Sequence, residues 1–139
     1  MPPPPNLHPD HPLPDVEEPI ARPFWEYCRR HELRIQKSRS SGKFVFPPRP
    51  HYAGDFEWVR VCGRARILTF VITRPPFLPA FAAKVPFAIA VVELEEGPRL
   101  VGNVLDCAIE DVRCGMPVEV VFEDLTEKVT LPQWKPVRR

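Results

Sequence analysis

The chain has 139 residues, of which 44% are hydrophobic and 27% charged, a composition that fits one globular domain of ordinary size with an appendage. The formal net charge of +1 excludes a uniformly basic protein, and no run approaches the roughly 20 apolar residues that span a bilayer. Because residues 1–18 also lack the continuous apolar stretch of a signal peptide, we expect a cytoplasmic protein that does not bind a membrane.

The N-terminal segment, residues 1–22, is predicted to be a proline-rich tail. Nine of the 20 prolines fall in the first 23 residues, and the tail has too few apolar side chains to offset the entropy lost on ordering. A short amphipathic helix is predicted from about Pro23, because proline suits the first helical turn. Phe24, Trp25, Cys28 and, less regularly, His31 then recur at helical spacing.

A hairpin is predicted next, with strands over Leu33–Lys37 and Lys43–Phe46 and a turn at Gly42. It has the outline of a zinc knuckle, but Ser38 and Ser41 stand where metal ligands are expected. A serine hydroxyl is a poor substitute for a thiolate at neutral pH, so we expect the hairpin to fold by packing, without a metal.

The rest of the chain is predicted to be rich in strands, because β-branched, aromatic or alternating runs are separated by glycine, proline and acidic turns. The candidate strands are Glu57–Cys62, Arg64–Thr73, Phe87–Leu94, Arg99–Val104, Val118–Glu123 and Val129–Trp134. Five of them, with a helical turn over Ile109–Val112, match the element order of an OB-fold barrel. The predicted protein is therefore mostly β, with the helix and degenerate zinc-ribbon hairpin in residues 23–56 and a five-stranded barrel in residues 57–139.

Cysteine spacing indicates neither a zinc site nor a disulfide framework. The four cysteines are scattered and form no Cys-x-x-Cys pair, so we expect reduced thiols in or near the core; they are Cys28, Cys62, Cys107 and Cys114. The acids Glu93, Glu95 and Glu96 could hold a divalent cation, but acids around a glycine turn are more often solvated.

No catalytic set is predicted. None of His8, His11, His31 and His51 lies in a pattern that would place it beside a nucleophile and an acid. Ser38 and Ser41 are not in a strained strand-to-helix elbow. Glycines are isolated, so a phosphate-binding loop is not indicated either, and a nucleotide would have to be held by surface charge.

Charge changes sign along the chain. Residues 29–74 carry eleven Lys or Arg against three acids, whereas residues 87–127 carry ten acids against two arginines. Either the faces of one domain neutralise each other or face water, or the basic segment receives a phosphorylated ligand or an acidic partner.

Hydrophobic side chains in predicted loops leave a similar choice. The connection from Thr73 to Pro86 contains Phe77, Leu78 and Phe81, which either cap the end of the barrel or contact a partner. The same alternatives hold for Phe44, Phe46 and Trp58 around the hairpin.

Four segments together resemble a bacterial and archaeal family in which a rubredoxin-like zinc ribbon precedes an OB-fold, a family once described as a domain of unknown function. The segments are FWEYCRRHELRIQKSRSSGKFVFPPRP, EWVRVCGRARILTFVI, VPFAIAVVELEEGPRLVGNV and CGMPVEVVFED. The most specific positions are Phe24, Trp25, Gly42, Pro47, Pro48, Arg49, Trp58, Gly63, Pro86, Val92, Glu93, Leu94, Glu96, Gly97, Gly115, Met116 and Val118. The resemblance covers nearly everything after Pro23.

Zinc does not follow from this resemblance. Relatives usually carry two Cys-x-x-Cys pairs, of which the first maps onto Ser38 and Ser41 here. The second falls where HYAGDFEW runs through a shortened loop without cysteine.

The resemblance implies a non-catalytic accessory subunit in a hetero-oligomer with a thiolase-like or retro-aldolase enzyme that acts on acyl-CoA esters, for example of steroid side chains. The subunit itself would need no cofactor, and a coenzyme A ester would be a ligand of the complex. The partner-binding residues expected on this basis are Phe24, Trp25, Phe44, Phe46, Pro47, Pro48, Trp58, Phe77 and Phe81. Basic groups expected to meet the CoA phosphates are Arg39, Lys43 and Arg49.

Two other functions remain open from the sequence. An OB-fold can bind single-stranded nucleic acid, although the near-neutral charge and acidic barrel strands argue against it. A self-sufficient protein that binds or hydrolyses acyl-CoA is the other alternative.

Overall fold

The computed structural model describes residues 7–50 and 54–137, which contain one helix and eight strands. The elements are α1 Arg22–Arg29, β1 Arg34–Ser38, β2 Phe44–Val45, β3 Phe56–Arg60, β4 Arg64–Thr73, β5 Phe87–Leu94, β6 Arg99–Val104, β7 Pro117–Asp124 and β8 Thr130–Pro136, with 3-10 turns at Pro79–Phe81 and Ile109–Asp111. Every predicted strand is present, with each end within about two residues of its expected place. No helix in these two ranges is long and apolar enough to cross a membrane.

Five strands close a barrel in the order β4-β5-β6-β8-β7. Neighbours are antiparallel except β6 and β8, which run parallel and pair at a single position, Val104 opposite Trp134. The helical turn at Ile109–Asp111 lies between the third and fourth barrel strands. The predicted OB-fold is thus confirmed, because this strand order and insertion define it.

A second sheet has the order β2-β1-β3. Strand β3 pairs with β1 along its whole length, from Phe56 opposite Ser38 to Arg60 opposite Arg34. The division expected between residues 56 and 57 therefore falls inside β3, which extends the hairpin instead of entering the barrel. The short β2 occupies only one edge of β1, so the other edge is open for β3 to pair with.

The corner from β3 to β4 joins this sheet to the barrel at Gly63. Its φ of +81° is a left-handed conformation that suits glycine, and a Cβ there would lie 2.6 Å from Val120 Cγ1. The Val120 amide donates to the Gly63 carbonyl at 2.8 Å. Close backbone approach at this corner therefore fixes the two sheets against each other.

The helix and the barrel share one hydrophobic core. Phe24 and Cys28 point from α1 into the same cluster as Ile35 of β1 and Trp134 of β8. Burial raises the pKa of the Cys28 thiol to about 12, so this thiol stays protonated. His31 does not continue the helix as its spacing suggested, because its φ is +59° and the chain has already turned towards β1.

The expected burial of the cysteines holds only in part. Cys28 is buried and Cys107 packs partly buried against the core. Cys62 and Cys114 are exposed, because each lies in a turn just before a positive-φ glycine, where the side chain projects outward.

Serine hydroxyls make local hydrogen bonds in the hairpin turn. Ser38 Oγ accepts from the Ser41 amide at 3.3 Å, and Ser41 Oγ accepts from the Lys43 amide at 3.2 Å. Gly42, with φ of +72°, donates its amide to the Ser38 carbonyl. The turn is thus closed by its own polar groups.

A second fastening holds the proline-rich end of the hairpin. The Gln36 side chain is fully buried, and its Oε1 accepts from the Arg49 amide at 2.8 Å while its Nε2 donates to the Arg49 carbonyl at 3.0 Å. Both backbone groups of Arg49 are satisfied by one side chain. We call this pair of bonds the Gln36 clamp.

Replacing Gln36 by methionine, which has a similar shape but no amide, should lower the free energy of unfolding by about 1–3 kcal/mol, because the Arg49 backbone groups lose both partners. Urea denaturation at neutral pH would measure this. The matched control is Arg39→Met on the same hairpin, which removes only an exposed ion pair to Glu57 at 3.6 Å and should change stability by less than about 0.5 kcal/mol. Equal midpoints for the two variants would contradict the role of the clamp.

Candidate functional site

An apolar groove lies on the outer face of the barrel. Two adjoining cavities, of about 580 and 420 Å³, form it. Both are floored by the same residues of β6 and β8, which are Val101, Gly102, Asn103, Leu131 and Gln133. A shared floor makes the two cavities one continuous surface, which we call the groove.

The floor follows from the parallel seam between β6 and β8. One backbone pair joins these strands, and the Gln133 side chain adds a hydrogen bond across the seam, because its Oε1 accepts from the Asn103 amide at 2.7 Å. Its Nε2 donates to Glu123 Oε1 on β7 at 3.2 Å. Gly102 lets the strands approach, since a Cβ there would lie 2.9 Å from the Trp134 ring. Val101 stays 65% exposed, so the floor offers apolar area to solvent.

One wall of the groove comes from the helix and the hairpin. It contains Trp25, Phe46, Pro47 and Pro48. Phe24 lies beneath this wall, edge-on to Trp25 at 5.0 Å between ring centroids and 5.3 Å from Phe46. Since Phe24 is only 4% exposed, it supports the wall and is not itself available to a partner.

The opposite wall comes from the loop between β4 and β5. Phe81 packs 5.8 Å from Phe87, and both line the groove beside Lys84. Ala80 is buried and fixes the 3-10 turn to the barrel, whereas Phe77 at the loop tip is 80% exposed. Part of the loop therefore packs on the barrel and its tip faces solvent, and contact of Phe77 with a partner stays a prediction.

Other expected partner-binding residues lie elsewhere. Phe44 packs under the Lys37 ammonium, 5.3 Å from the ring centroid, and Trp58 lies against Tyr27 of the helix at 6.2 Å. Neither lines the groove. Both belong to the packing of the three-stranded sheet on the core.

The three cations expected to meet CoA phosphates are exposed and share the hairpin region. Arg39 is 3.6 Å from Glu57, in a pair whose partners are both well solvated. Arg49 has its backbone held by the Gln36 clamp, while its side chain faces solvent with that of Lys43. The basic segment is partly neutralised nearby, since Glu32 accepts from Arg34 at 2.8 Å and a hydrogen bond from Arg34 lowers the pKa of Glu32.

The hairpin does not fit a zinc ion. Ser38 and Ser41 direct their hydroxyls into the turn, where they bond the chain's own amides. Within residues 7–50 and 54–137, no group of three or more His, Cys, Asp or Glu side chains is placed to hold a metal. The predicted second ligand loop falls partly on residues 51–53, outside the described residues.

Two acids at the β5–β6 turn, Glu95 and Glu96, stabilise a neighbouring corner of the chain, which their sequence pattern did not indicate. Glu96 accepts from the Cys62 amide at 2.9 Å, and the Cys62 thiol donates to Glu95 at 3.4 Å. Burial and these carboxylates raise the pKa of the Cys62 thiol. The two acids thus hold the corner that leads from β3 to β4.

A polar cleft of about 730 Å³ lies between the end of α1 and the β7–β8 turn. In it His31 stacks on Phe122 and places Nε2 2.9 Å from Asp124 Oδ1, which also accepts from the Thr130 hydroxyl at 2.7 Å. Burial alone would raise the pKa of Asp124, but the hydrogen bonds from Thr130 and His31 outweigh it and lower that pKa. The His31–Asp124 contact thus latches the turn that follows α1 to the barrel, and the Thr130 hydroxyl supports the same carboxylate.

Sequence reasoning missed the groove floor. Gln133 lies about thirty residues after Val101 and Asn103 in the chain, and nothing local links it to them. The only usable signal was the outward position of Val101 in an alternating strand beside a glycine. Trp25, Phe46, Pro47 and Phe81, which were expected to contact a partner, lie in the walls of the groove, and their contact with a partner stays a prediction.

The closed five-stranded barrel, with a second small sheet beside it, defines an OB-fold protein. Residues 58–123 match the model of the C-terminal OB-fold domain of ChsH2. A DUF35 domain-containing scaffold protein of Methanocaldococcus jannaschii is 33% identical over 114 residues, which cover 78% of this chain and 79% of that protein. The chain belongs to the DUF35 family.

Two further comparisons involve larger assemblies. The chain is 36% identical over 117 residues to the 3-oxo-4,17-pregnadiene-20-carboxyl-CoA hydratase alpha subunit of Mycobacterium tuberculosis, covering 81% of this chain but only 36% of that subunit. A solved structure described as the Ltp2-ChsH2(DUF35) aldolase superposes with a TM-score of 0.79 and 27% identity, over 88% of this chain and 98% of the matched chain.

Replacing Asp124 by asparagine should lower the free energy of unfolding at pH 7 by about 1–2 kcal/mol, because a charge-assisted bond is lost. The lowered pKa fixes the pH dependence: this stability is fully present above the unfolded value of about 3.9 and is lost as the pH falls through the folded value. The difference between wild type and D124N should therefore shrink as urea denaturation is repeated below about pH 4.

The exposed carboxyl of Asp111 supplies the control, since D111N should leave stability within about 0.5 kcal/mol of wild type throughout. A wild-type advantage over D124N that stays constant down to pH 2 would show that the latch does not depend on the ionised carboxylate.

Proposed function

We propose that this protein is a non-catalytic accessory subunit that binds an enzyme of the thiolase-like or aldolase class acting on acyl-CoA esters, and that the two form a hetero-oligomer. The chemistry belongs to the enzyme partner, while this chain stabilises it and shapes its acyl-CoA entrance. The groove is the observation that carries the proposal, since a solvated apolar surface with aromatic walls is typical of a protein-binding site.

The similarities support this choice of partner. One relative is named as a scaffold protein, another as the alpha subunit of a CoA-ester hydratase, and the superposed structure as an aldolase with a DUF35 component. Each of the three names describes a scaffold, a subunit or a component of a protein assembly. We therefore extend the association, and not the chemistry, to this chain.

Within the groove, Trp25, Phe46, Pro47 and Pro48 would contact the partner from one side and Phe81 from the other. Phe77, at the tip of its loop, extends the apolar surface beyond the groove. Rigid aromatic and proline side chains lose little conformational entropy on binding, which favours them as anchors. Phe24, Phe44 and Trp58 act indirectly, by holding these elements in place.

The groove disfavours single-stranded nucleic acid as the ligand. Among the described residues that line it, Lys84 is the one basic side chain, and Glu123 adds an opposing charge. Binding of a nucleic-acid strand needs several cations along its phosphates. The cations of the hairpin fit a compact phosphate group better, and we propose that Arg39, Lys43 and Arg49 approach the phosphates of the coenzyme A ester held by the complex.

Replacing Val101 by aspartate should weaken the complex with the co-expressed enzyme partner at least tenfold, because a charge would be desolvated in the centre of the groove. Val101 is 65% exposed, so the variant should fold normally. Size-exclusion chromatography and calorimetric titration against the neighbouring thiolase-like or aldolase gene product would measure the effect.

Val71→Asp is the matched control: Val71 is 59% exposed on β4 and does not line the groove, so its complex should be unchanged. The proposal fails if wild type and enzyme elute separately and the enzyme is fully active alone. Equal affinities for V101D and V71D would place the interface elsewhere.

Replacing both Lys43 and Arg49 by glutamate should raise the KM of the complex for its acyl-CoA substrate about tenfold and leave kcat within about twofold. Contacts to phosphates act equally on bound substrate and transition state, so they affect mainly KM. Steady-state kinetics of the purified complex would measure both constants. The paired control reverses Arg64 and Arg66, two exposed cations on β4, and the same KM for both double variants would rule out the phosphate contact.

A further inference from the structure

The proline-rich segment that precedes the helix contacts the groove at both of its ends. Its C-terminal end is tied to the start of α1, where Glu18 Oε2 accepts from the Ala21 amide at 2.9 Å and the Glu18 carbonyl accepts from the Arg22 amide at 2.8 Å. Ala21 itself lines the smaller cavity beside Trp25. This places one end of the segment at the helix wall.

The other end of the segment reaches the opposite wall. The His11 ring packs edge-on against Phe81 at 5.1 Å between centroids, and Lys84 Nζ lies 3.3 Å from His11 Nε2. His11 Nδ1 is 2.8 Å from the Pro12 carbonyl, so both contacts are satisfied together when Nδ1 carries the proton and Nε2 accepts from Lys84. His11 and Pro12 line the larger cavity.

Residues 11–21, which we call the N-terminal strap, thus connect the two walls. None of the described residues before Arg22 is buried, so the strap contributes little to the core and can leave without unfolding the protein. The strap carries few apolar side chains, so packing within the strap itself would not hold it in this conformation. Proline-rich segments do bind aromatic-lined grooves, since their backbone is already extended.

We propose that the N-terminal strap is an intramolecular ligand that occupies the Phe81 end of the groove, and that the enzyme partner displaces it on binding. The second part rests on the proposed function. While the subunit is alone, His11 of the strap covers part of the Phe81 ring, so the partner must compete with the strap for this wall of the groove. Upstream, Pro2 to Pro5 continue the same composition in the sequence.

The contact of the strap with the groove is tested on the isolated 139-residue chain with His11→Ala, which removes the contacts to Phe81 and Lys84. His8→Ala is the matched control, because among residues 7–50 and 54–137 the one hydrogen bond of the His8 ring is from the Asp10 amide at 3.0 Å, within its own turn. We expect nuclear Overhauser contacts between the His11 and Phe81 rings in wild type. Fluorescence of the apolar dye 1-anilinonaphthalene-8-sulfonate should rise about threefold or more in H11A and stay at the wild-type level in H8A.

Absence of the ring contacts, or equal dye fluorescence in wild type and H11A, would overturn the proposal that the strap binds the groove. A Lys84→Ala variant guards against an indirect effect of H11A on folding: it leaves the tail sequence intact and should also raise dye fluorescence, while the unfolding midpoints of H11A and K84A stay near that of wild type.

Competition with the partner is tested by titrating the enzyme with wild type, H11A and H8A. Displacement predicts that H11A binds about threefold or more tightly than the other two, because the strap no longer has to be removed. Equal affinities would overturn the competition. If no variant binds the enzyme, the proposed function fails, whereas the dye and nuclear Overhauser measurements still decide whether the strap occupies the Phe81 end of the groove.

Discussion

The Gln36 clamp is the contact on which the functional surface depends. A fully buried amide satisfies both backbone groups of Arg49, thirteen residues further along the chain, and so holds the proline-rich end of the hairpin to β1. Pro47 and Pro48 stand just before that fastening and form part of the groove wall. The hairpin turn binds its own amides and does not fit a metal. This buried pair of hydrogen bonds is therefore what holds the wall in position.

The groove also depends on an irregularity of the barrel. Parallel pairing of β6 and β8 at a single position leaves a seam that the Gln133 side chain bridges to Asn103. A regular ladder would have needed no such side chain and would have presented a flatter surface. The seam thus gives the floor its few polar groups among apolar ones, an arrangement suited to orienting a partner.

Charge and apolar area are separated on the molecule. Part of the basic segment is already neutralised, as the pairing of Arg34 with Glu32 shows. The sequence left two explanations for the uneven charge, mutual neutralisation or a phosphorylated ligand. The ion pair supports the first for its own part of the segment, and the second stays a prediction for the exposed cations of the hairpin. The polar cleft lies apart from the groove and the hairpin cations. Its contact between His31 and Asp124 links the turn after α1 to β7.

Much of the fold was determined by the sequence alone. Alternating runs such as Phe87–Leu94 produced strands because one side of each faces the core, and the glycine at position 42 marked the hairpin turn because its positive φ suits no other residue as well. The tertiary structure decided which strands meet: β3 joined β1, the Gln36 side chain reached Arg49, and Gln133 reached Asn103. These choices were not readable from the sequence, because a hydrogen bond between residues far apart in the chain forms only once the barrel has closed and brought the two groups together. The same closure brought Trp25, Phe46 and Phe81 to two sides of one groove and separated them from Phe44 and Trp58, which have similar side chains but a different place in the packing.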